Sequence, residues 1–253
     1  MNFHSTVSDM LRDRIQPEFV FCQVLIKRDA SGFALRHALD RVADGRCLKK
    51  VQIPELRGIA QSTAAGAFRP LKSAPTLQQG WQVLAKSIED VIDALDHLYP
   101  GGLADWRASQ SEPPPVTSYR DFTGRQTGMY RITTFLDDSQ AADMTQACCD
   151  GRFCLKRRLW TVDSLKPDAP DQKSILPCLE PCAILLEFAR KVTRLEQDED
   201  TPAELAACDP EILQRKLDGL LAKGPEADQR EADFSHPDNP RILLWELLKL
   251  GRR

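Results

Sequence analysis

The hydrophobic positions of this chain follow two periods. Phe19 to Lys27 (FVFCQVLIK) is an apolar run rich in β-branched residues and predicts a strand. Asp29-Ala30-Ser31-Gly32 is a turn signal, and Phe33 to His37 alternates apolar with polar residues, so the two runs predict a β-hairpin. Cys22 falls within the first run, where core packing is its expected role. Lys50 to Ala60 fits neither period. Gln61 to Pro75, with Gly66 and two prolines, predicts a loop. The helical period is clearest from Ser87 to Tyr99, where Ile88, Val91, Ile92, Leu95 and Leu98 share one face. Ser87 is the expected N-cap, with Asp90 three residues on as in a capping box. Pro100-Gly101-Gly102 stops the helix, and a short helical segment, Leu103 to Ser109, follows.

Ser109 to Ser118 (SQSEPPPVTS) interrupts the pattern. Three consecutive prolines favour an extended conformation that resists packing into a core. The run reads as a linker or as a Pro-rich surface loop within one domain. Taken as a linker, it separates a small α+β domain over residues 1–112 from a mainly helical domain over 119–253. Downstream, Asp137 to Cys148 predicts a helix capped by Asp138 or Ser139. Pro181 to Leu195 predicts another, with Cys182, Leu185, Leu186, Ala189 and Val192 on one face and Pro181 at the first helical position. Glu196 to Asp200 reads as a solvated acidic connection. Asp209-Pro210 opens a helix with Ile212, Leu213, Lys216, Leu217, Leu220 and Leu221 in register, ended by Gly224. Gly224 to Pro240 is polar and irregular, and Asn239-Pro240 starts a last helix, Arg241 to Leu250. The fold class is therefore α+β: a small domain containing an N-terminal β-hairpin, then a helical domain that carries most of the cysteines. No internal repeat is present.

Charge and composition narrow the function classes. The formal net charge of −3 lacks the basic excess of a general nucleic-acid binder. No stretch of about 18 apolar residues suggests a membrane span. Met1 to Asp13 lacks the basic start, apolar middle and cleavage site of a secretory signal, so a cytoplasmic location is expected. Thiols stay reduced in that compartment, so eight cysteines are not expected to be disulfides. Cys22, Cys47 and Cys208 stand alone. Cys148, Cys149, Cys154, Cys178 and Cys182 fall within 35 residues, which suggests a metal site.

The core pattern is Cys149-x4-Cys154, 23 intervening residues, then Cys178-x3-Cys182, with Cys148 as an alternative first ligand. Two close pairs from separate segments bring four soft thiolates to one point. In Pro177-Cys178-Leu179-Glu180-Pro181-Cys182, a proline precedes each cysteine and stiffens the loop. Cys182 is expected in the first turn of a helix, where free N–H groups and the helix dipole favour a thiolate. Lys156-Arg157-Arg158 reads as a counter-charge to an anionic cluster, as a docking surface for an acidic partner, or as a solvated basic strand. Trp160 reads as a shield against water or as ordinary core. Spacing alone leaves an iron–sulfur cluster and a four-thiolate zinc site open, with a smaller share for no metal, and a C-x-x-C redox dithiol is absent.

Cys149-Asp-Gly-Arg-Phe-Cys154-Leu-Lys-Arg-Arg-Leu-Trp160 with Pro177-Cys178-Leu-Glu-Pro-Cys182 resembles the 4Fe–4S-binding domain attached to some CbiX-type sirohydrochlorin chelatase-like proteins. Phe68-Arg-Pro-Leu-Lys-Ser-Ala-Pro75, Gly80-Trp81, Leu98-Tyr99-Pro100, Ala104-Asp105-Trp106 and Arg125-Gln-Thr-Gly-Met-Tyr130 resemble the small stabilising domain beside it. The resemblance runs from about Phe19 to Val192. It implies a 4Fe–4S cluster held by Cys149 (or Cys148), Cys154, Cys178 and Cys182, and it favours iron–sulfur over zinc. Larger members of that family carry chelatase-like domains ahead of this region. Almost nothing precedes the hairpin here, and His4, His37, His97 and His236 form no pair at ligand spacing. Chelatase activity is therefore not expected from this chain alone, and a companion role in sirohaem or cobalamin metabolism is what the resemblance implies.

Three functions follow. The first is an electron-transfer or redox protein that meets a redox donor or a chelatase-like protein, since four thiolate ligands leave no open coordination position. The second is a structural four-cysteine zinc module that supports an interaction surface. The third is an enzyme, for which no G-x-S-x-G, H-E-x-x-H, phosphate loop or dinucleotide fingerprint is found. Arg125-Gln126-Thr127-Gly128 reads as a bland turn or as a contact for a small anion near the cluster.

Overall fold

Ahead of the expected hairpin, Phe3–Arg14 forms helix α1. The mixed charges of the first residues hide its period, yet Val7, Leu11 and then Ile15 recur every four residues and are fully buried. The computed structural model describes residues 3–61, 77–111, 117–163, 165–197, 209–222 and 239–251. The chain divides into two units. One comprises Met1–Pro114, Leu155–Arg157 and Pro170–Pro177; the other comprises Pro115–Cys154, Arg158–Ala169 and Cys178–Arg253. Residues 112–116 of the Pro-rich run, the segment 62–76, Cys208 and most of the polar stretch before Pro240 lie outside the described residues.

In the first unit the run Phe19 to Lys27 is two strands rather than one. Strand β1 (Glu18–Phe21) turns back into β2 (Val24–Asp29) through Cys22 and Gln23. Cys22 takes a φ of +55°, a region that costs L residues energy, and no Gly, Asn or Asp marks the turn. Tertiary hydrogen bonds hold it: the Gln23 N–H donates to the Tyr99 hydroxyl at 3.2 Å, and the Gln23 side-chain carbonyl accepts from the Leu77 N–H at 2.8 Å. Strand β3 (Gly32–His37) completes the hairpin expected from the Asp29–Gly32 signal. β4 (Lys49–Lys50), helix α2 (Leu56–Gln61) and β5 (Trp81–Ala85) follow, and the sheet order is β1-β2-β3-β5-β4 with only β4 parallel to its neighbour. Phe21, Val24, Ile26, Leu35 and Val83 enter one core with the buried face of helix α3 (Ile88–Leu98), which carries the five expected apolar residues. Ser87 and Asp90 form the expected capping box, and helix α4 (Gly102–Ser111) adds Leu103 and Trp106.

Gly32 has a φ of +141°, and a Cβ built there meets the carbonyl oxygen of Ala85 at 2.4 Å. β3 can pair with β5 at this point only because the residue is glycine.

The second unit is mostly helical. It holds helices α5 (Tyr119–Gly124), α6 (Asp138–Cys149), α7 (Ala183–Gln197), α8 (Pro210–Leu221) and α9 (Pro240–Leu250), with a 3-10 segment, Gly128–Phe135, between α5 and α6. The cap of α6 is Asp137, one residue earlier than the expected Asp138 or Ser139; it forms a capping box with Gln140. Helix α7 begins at Ala183, so Pro181 and Cys182 precede it rather than occupying its first turn. α6 packs on α7, and α9 packs on both α6 and α8. One core gathers Tyr119, Met144, Trp160, Phe188, Val192 and Trp245; a second gathers Phe153 with Leu213, Leu217, Leu220 and Leu243. The short strands β6 (Arg157–Arg158) and β7 (Pro177–Cys178) pair with each other. Among the described residues no helix is long and apolar enough to cross a membrane.

Ser87→Ala should lower stability by about 1 kcal/mol through the lost cap. Gly32→Ala should cost more, about 2–3 kcal/mol, from backbone strain and the clash with Ala85. Urea unfolding followed by circular dichroism checks both.

Burial pushes the Cys22 thiol up to about 12 from an ordinary value of 9.0, against smaller opposing effects of Ser174, Leu176 and Lys156. The folded state therefore keeps a proton that the unfolded chain loses first. This stabilisation is complete below about pH 9 and is lost as pH rises towards 12. Unfolding series of the wild type and Cys22→Ala at pH 7, 9 and 10.5 should show the stability gap between them shrinking as pH rises above 9.

Candidate metal centre

The two cysteine segments are held by different devices. Helix α6 ends at Cys149, and the chain turns at once through Asp150 to Cys154. The N–H groups of Phe153 and Cys154 both donate to the Asp150 carbonyl at 2.9 Å. The Asp150 carboxylate accepts from the Arg152 backbone N–H at 2.9 Å and from its Nε at 2.8 Å. This Asx-type turn sets the four-residue gap between Cys149 and Cys154. Phe153, 2% exposed, drives into the core made by α8 and α9 and pins the loop at its middle.

Cys178 is fixed through both backbone and side chain. Its carbonyl accepts the Leu159 N–H at 2.8 Å. Its Sγ accepts the indole N–H of Trp160 at 3.4 Å and faces the Glu180 carbonyl at 3.2 Å. Trp160 is fully buried and stacks on Tyr119 with ring centroids 6.3 Å apart. Trp160 is therefore core, and it also carries a donor directed at a cysteine sulfur, which neither reading of the sequence included.

Cys182 lies just before α7, and its carbonyl accepts the Leu186 N–H at 3.1 Å. Burial pushes its thiol up, and Cys149 beside it pushes the same way. The N–H groups of Leu185 and Ile184, and the charge of Arg241, pull it back. The helix start alone does not win this contest, because desolvation of the charged form outweighs it.

Cys149, Cys178 and Cys182 are partly exposed and pack against the same apolar cluster, which includes Trp160. Cys154 is also partly exposed, whereas Cys148 is 3% exposed and belongs to the cluster itself. Among the described residues, no three His, Cys, Asp or Glu side chains converge closely enough to hold a metal ion as they stand. The donor chemistry nevertheless suits an iron–sulfur cluster: soft sulfur ligands, an apolar wall and an N–H donor on one sulfur.

The basic segment Lys156 to Arg158 does not form one cationic surface. In the first unit, Lys156 pairs with Asp105 at 3.6 Å. In the second, Arg158 is 5% exposed, lies over the Trp160 ring at 5.2 Å and donates to the carbonyls of Trp160 and Lys166. Asp168 accepts the Arg158 backbone N–H at 2.8 Å and returns its own N–H to the Arg158 carbonyl at 2.8 Å. Arg158 is thus a buried tie within the loop. Arg125 ends α5 and donates from Nε to the Asp121 carbonyl at 3.1 Å, the arrangement of a turn.

The sequence pattern did not single out Arg241, which is 1% exposed. Its Nε donates to the Cys148 carbonyl at 3.4 Å and its Nη2 to the Phe153 carbonyl at 3.1 Å. Asn239-Pro240, a cap followed by proline, was its only signal, because it fixes where α9 starts.

Residues 5–110 match the family model of the DR2241 stabilising domain, and residues 111–191 match that of the 4Fe–4S iron–sulfur cluster binding domain. No curated protein matches the chain. The crystal structure of DR2241 from Deinococcus radiodurans is similar over 76% of this chain, with 26% identity and a TM-score of 0.63. It is described as a multi-domain protein with structural similarity to chelatases and two additional novel domains. The present chain covers 41% of its length. From residue 5 to residue 191 the chain resembles, in order, a DR2241 stabilising domain and a 4Fe–4S cluster-binding domain.

Proposed function

We propose that Cys149, Cys154, Cys178 and Cys182 hold a 4Fe–4S cluster, and that the chain transfers electrons or acts as redox companion to a tetrapyrrole chelatase-type enzyme. The observation that carries this reading is the grouping of Cys149, Cys178 and Cys182 against one apolar cluster, with the Trp160 indole N–H on the Cys178 sulfur. Bound there, such a cluster supplies one-electron chemistry. The protein's own part is to present four thiols, shield them and place N–H donors. Cys149 is favoured over Cys148 as first ligand because it is partly exposed and neighbours Cys182, whereas Cys148 is core. Trp160 and Tyr119 keep water from one side, and the N–H groups of Ile184 and Leu185 favour negative charge at Cys182.

His37 is buried at the end of β3 and accepts the Leu39 N–H on Nδ1 at 3.2 Å, and His97 sits beside Asp93 at 3.3 Å. Both serve local structure. The similarity to DR2241, whose description mentions chelatases, supports the companion role.

Protein purified without oxygen should be brown, with about four irons and four sulfides per chain, as a cubane cluster requires. A colourless protein with one zinc per chain would replace this reading with a structural zinc module. Cys154→Ser should lose most of the iron, while Cys22→Ser keeps it. Unchanged iron in Cys154→Ser removes that residue from the ligand set.

Trp160→Phe keeps most of the packing but deletes the N–H donor to Cys178. Hydrogen bonds to cluster sulfurs favour the reduced state. The variant should therefore retain iron and show a more negative reduction potential in an electron paramagnetic resonance titration.

A further inference from the structure

The Cys149–Cys154 loop is closed by a part of the chain beyond the matched span, which ends at residue 191. The Asn239 side chain accepts the Arg241 N–H at 3.0 Å and Pro240 occupies the first turn, so α9 starts at a fixed point. Ile242 and Trp245 of α9 enter the core shared with α6 and α7, and Leu243 enters the core that holds Phe153. Between them, the Arg241 guanidinium reaches two carbonyls, those of Cys148 and Phe153. Each belongs to the residue directly before a proposed ligand, Cys149 or Cys154. The guanidinium also lies over the Phe153 ring, 5.3 Å from its centroid. Its planar fork spans both ends of the loop, which the point charge of a lysine does not do. At 1% exposure its positive charge is weakly screened.

We propose that Arg241 is a positioning residue for the cluster: it clamps the Cys149–Cys154 loop through the Cys148 and Phe153 carbonyls and places a buried positive charge beside the thiolate ligands. Four thiolates around a cubane give a net negative centre, and reduction adds a further negative charge. A fixed cation nearby favours the reduced form. The two effects separate by substitution, because Lys keeps the charge and loses the fork, whereas Met loses both.

This inference rests on the iron–sulfur reading, and the experiment distinguishes the two. Wild type, Arg241→Met and Arg241→Lys are purified without oxygen, then compared for iron and sulfide content, rate of iron release to a chelator, and reduction potential. A wild type without iron and sulfide sinks the functional reading itself. With a cluster present in the wild type, Arg241→Met should release iron at least about threefold faster. It should also show an about tenfold lower reduced-to-oxidised ratio at fixed potential, equivalent to about 59 mV for a one-electron couple. Arg241→Lys should release iron faster at a potential close to wild type. Wild-type potential and release in Arg241→Met overturn the proposal while leaving the cluster in place. If Arg241→Met assembles no cluster, Arg241→Lys decides: a cluster at wild-type potential supports the proposal, and an absent or shifted one overturns it.

Discussion

Backbone carbonyls that leave regular structure inside a protein have to be paired, and in the second unit two buried guanidinium groups meet that demand. Arg158 ties the carbonyls of Trp160 and Lys166, and Arg241 ties those of Cys148 and Phe153. Each unpaired buried carbonyl would cost about 1–3 kcal/mol. The Cys149–Cys154 turn and the residues around Cys178 and Cys182 pack against apolar side chains, where an unpaired carbonyl finds little water. Arginine suits both places because its fork reaches two acceptors at once and its face lies on an aromatic ring, Trp160 in one case and Phe153 in the other.

The thiols show the other side of the same constraint. Packing Cys182 against apolar side chains and next to Cys149 penalises a thiolate, and the N–H groups at the start of α7 only partly offset that. A metal or cluster that took Cys182 as a ligand would have to displace its proton against that penalty. Cys22 in the first unit is more extreme: its thiol is pushed up to about 12. It acts as a packing residue beside Ser174, 3.6 Å away.

Within the first unit, the sheet and helix α3 provide a stable frame with ordinary means. Val24 and Ile26 on β2, and Trp81, Val83 and Ala85 on β5, point to one core by strict alternation. The unusual features are confined to turns. Gly32 allows β3 to approach the Ala85 carbonyl, and Cys22 takes a left-handed backbone that Tyr99 and Leu77 secure from outside the turn through Gln23.

The sequence by itself determined what depends on neighbours in the chain. The period of Ile88, Val91, Ile92, Leu95 and Leu98 defined α3, because a helix face repeats locally, and the Ser87–Asp90 cap is read over three residues. The cysteine block pointed to a four-thiolate metal site because ligand type and spacing are local properties, and its resemblance to the 4Fe–4S-binding domain, Trp160 included, favoured iron–sulfur over zinc. The tertiary structure decided what depends on distant contacts. It broke the run Phe19–Lys27 into two strands, since the turn at Cys22 is stabilised by Tyr99 and Leu77 rather than by its own residues. It buried Arg158, although the run Lys156–Arg158 read as a counter-charge, a docking surface or a solvated strand. It also brought Arg241 to carbonyls 93 and 88 residues away. No local pattern marks such a residue, because burying a cation is favourable only when the acceptors that pair it have already been assembled by the fold.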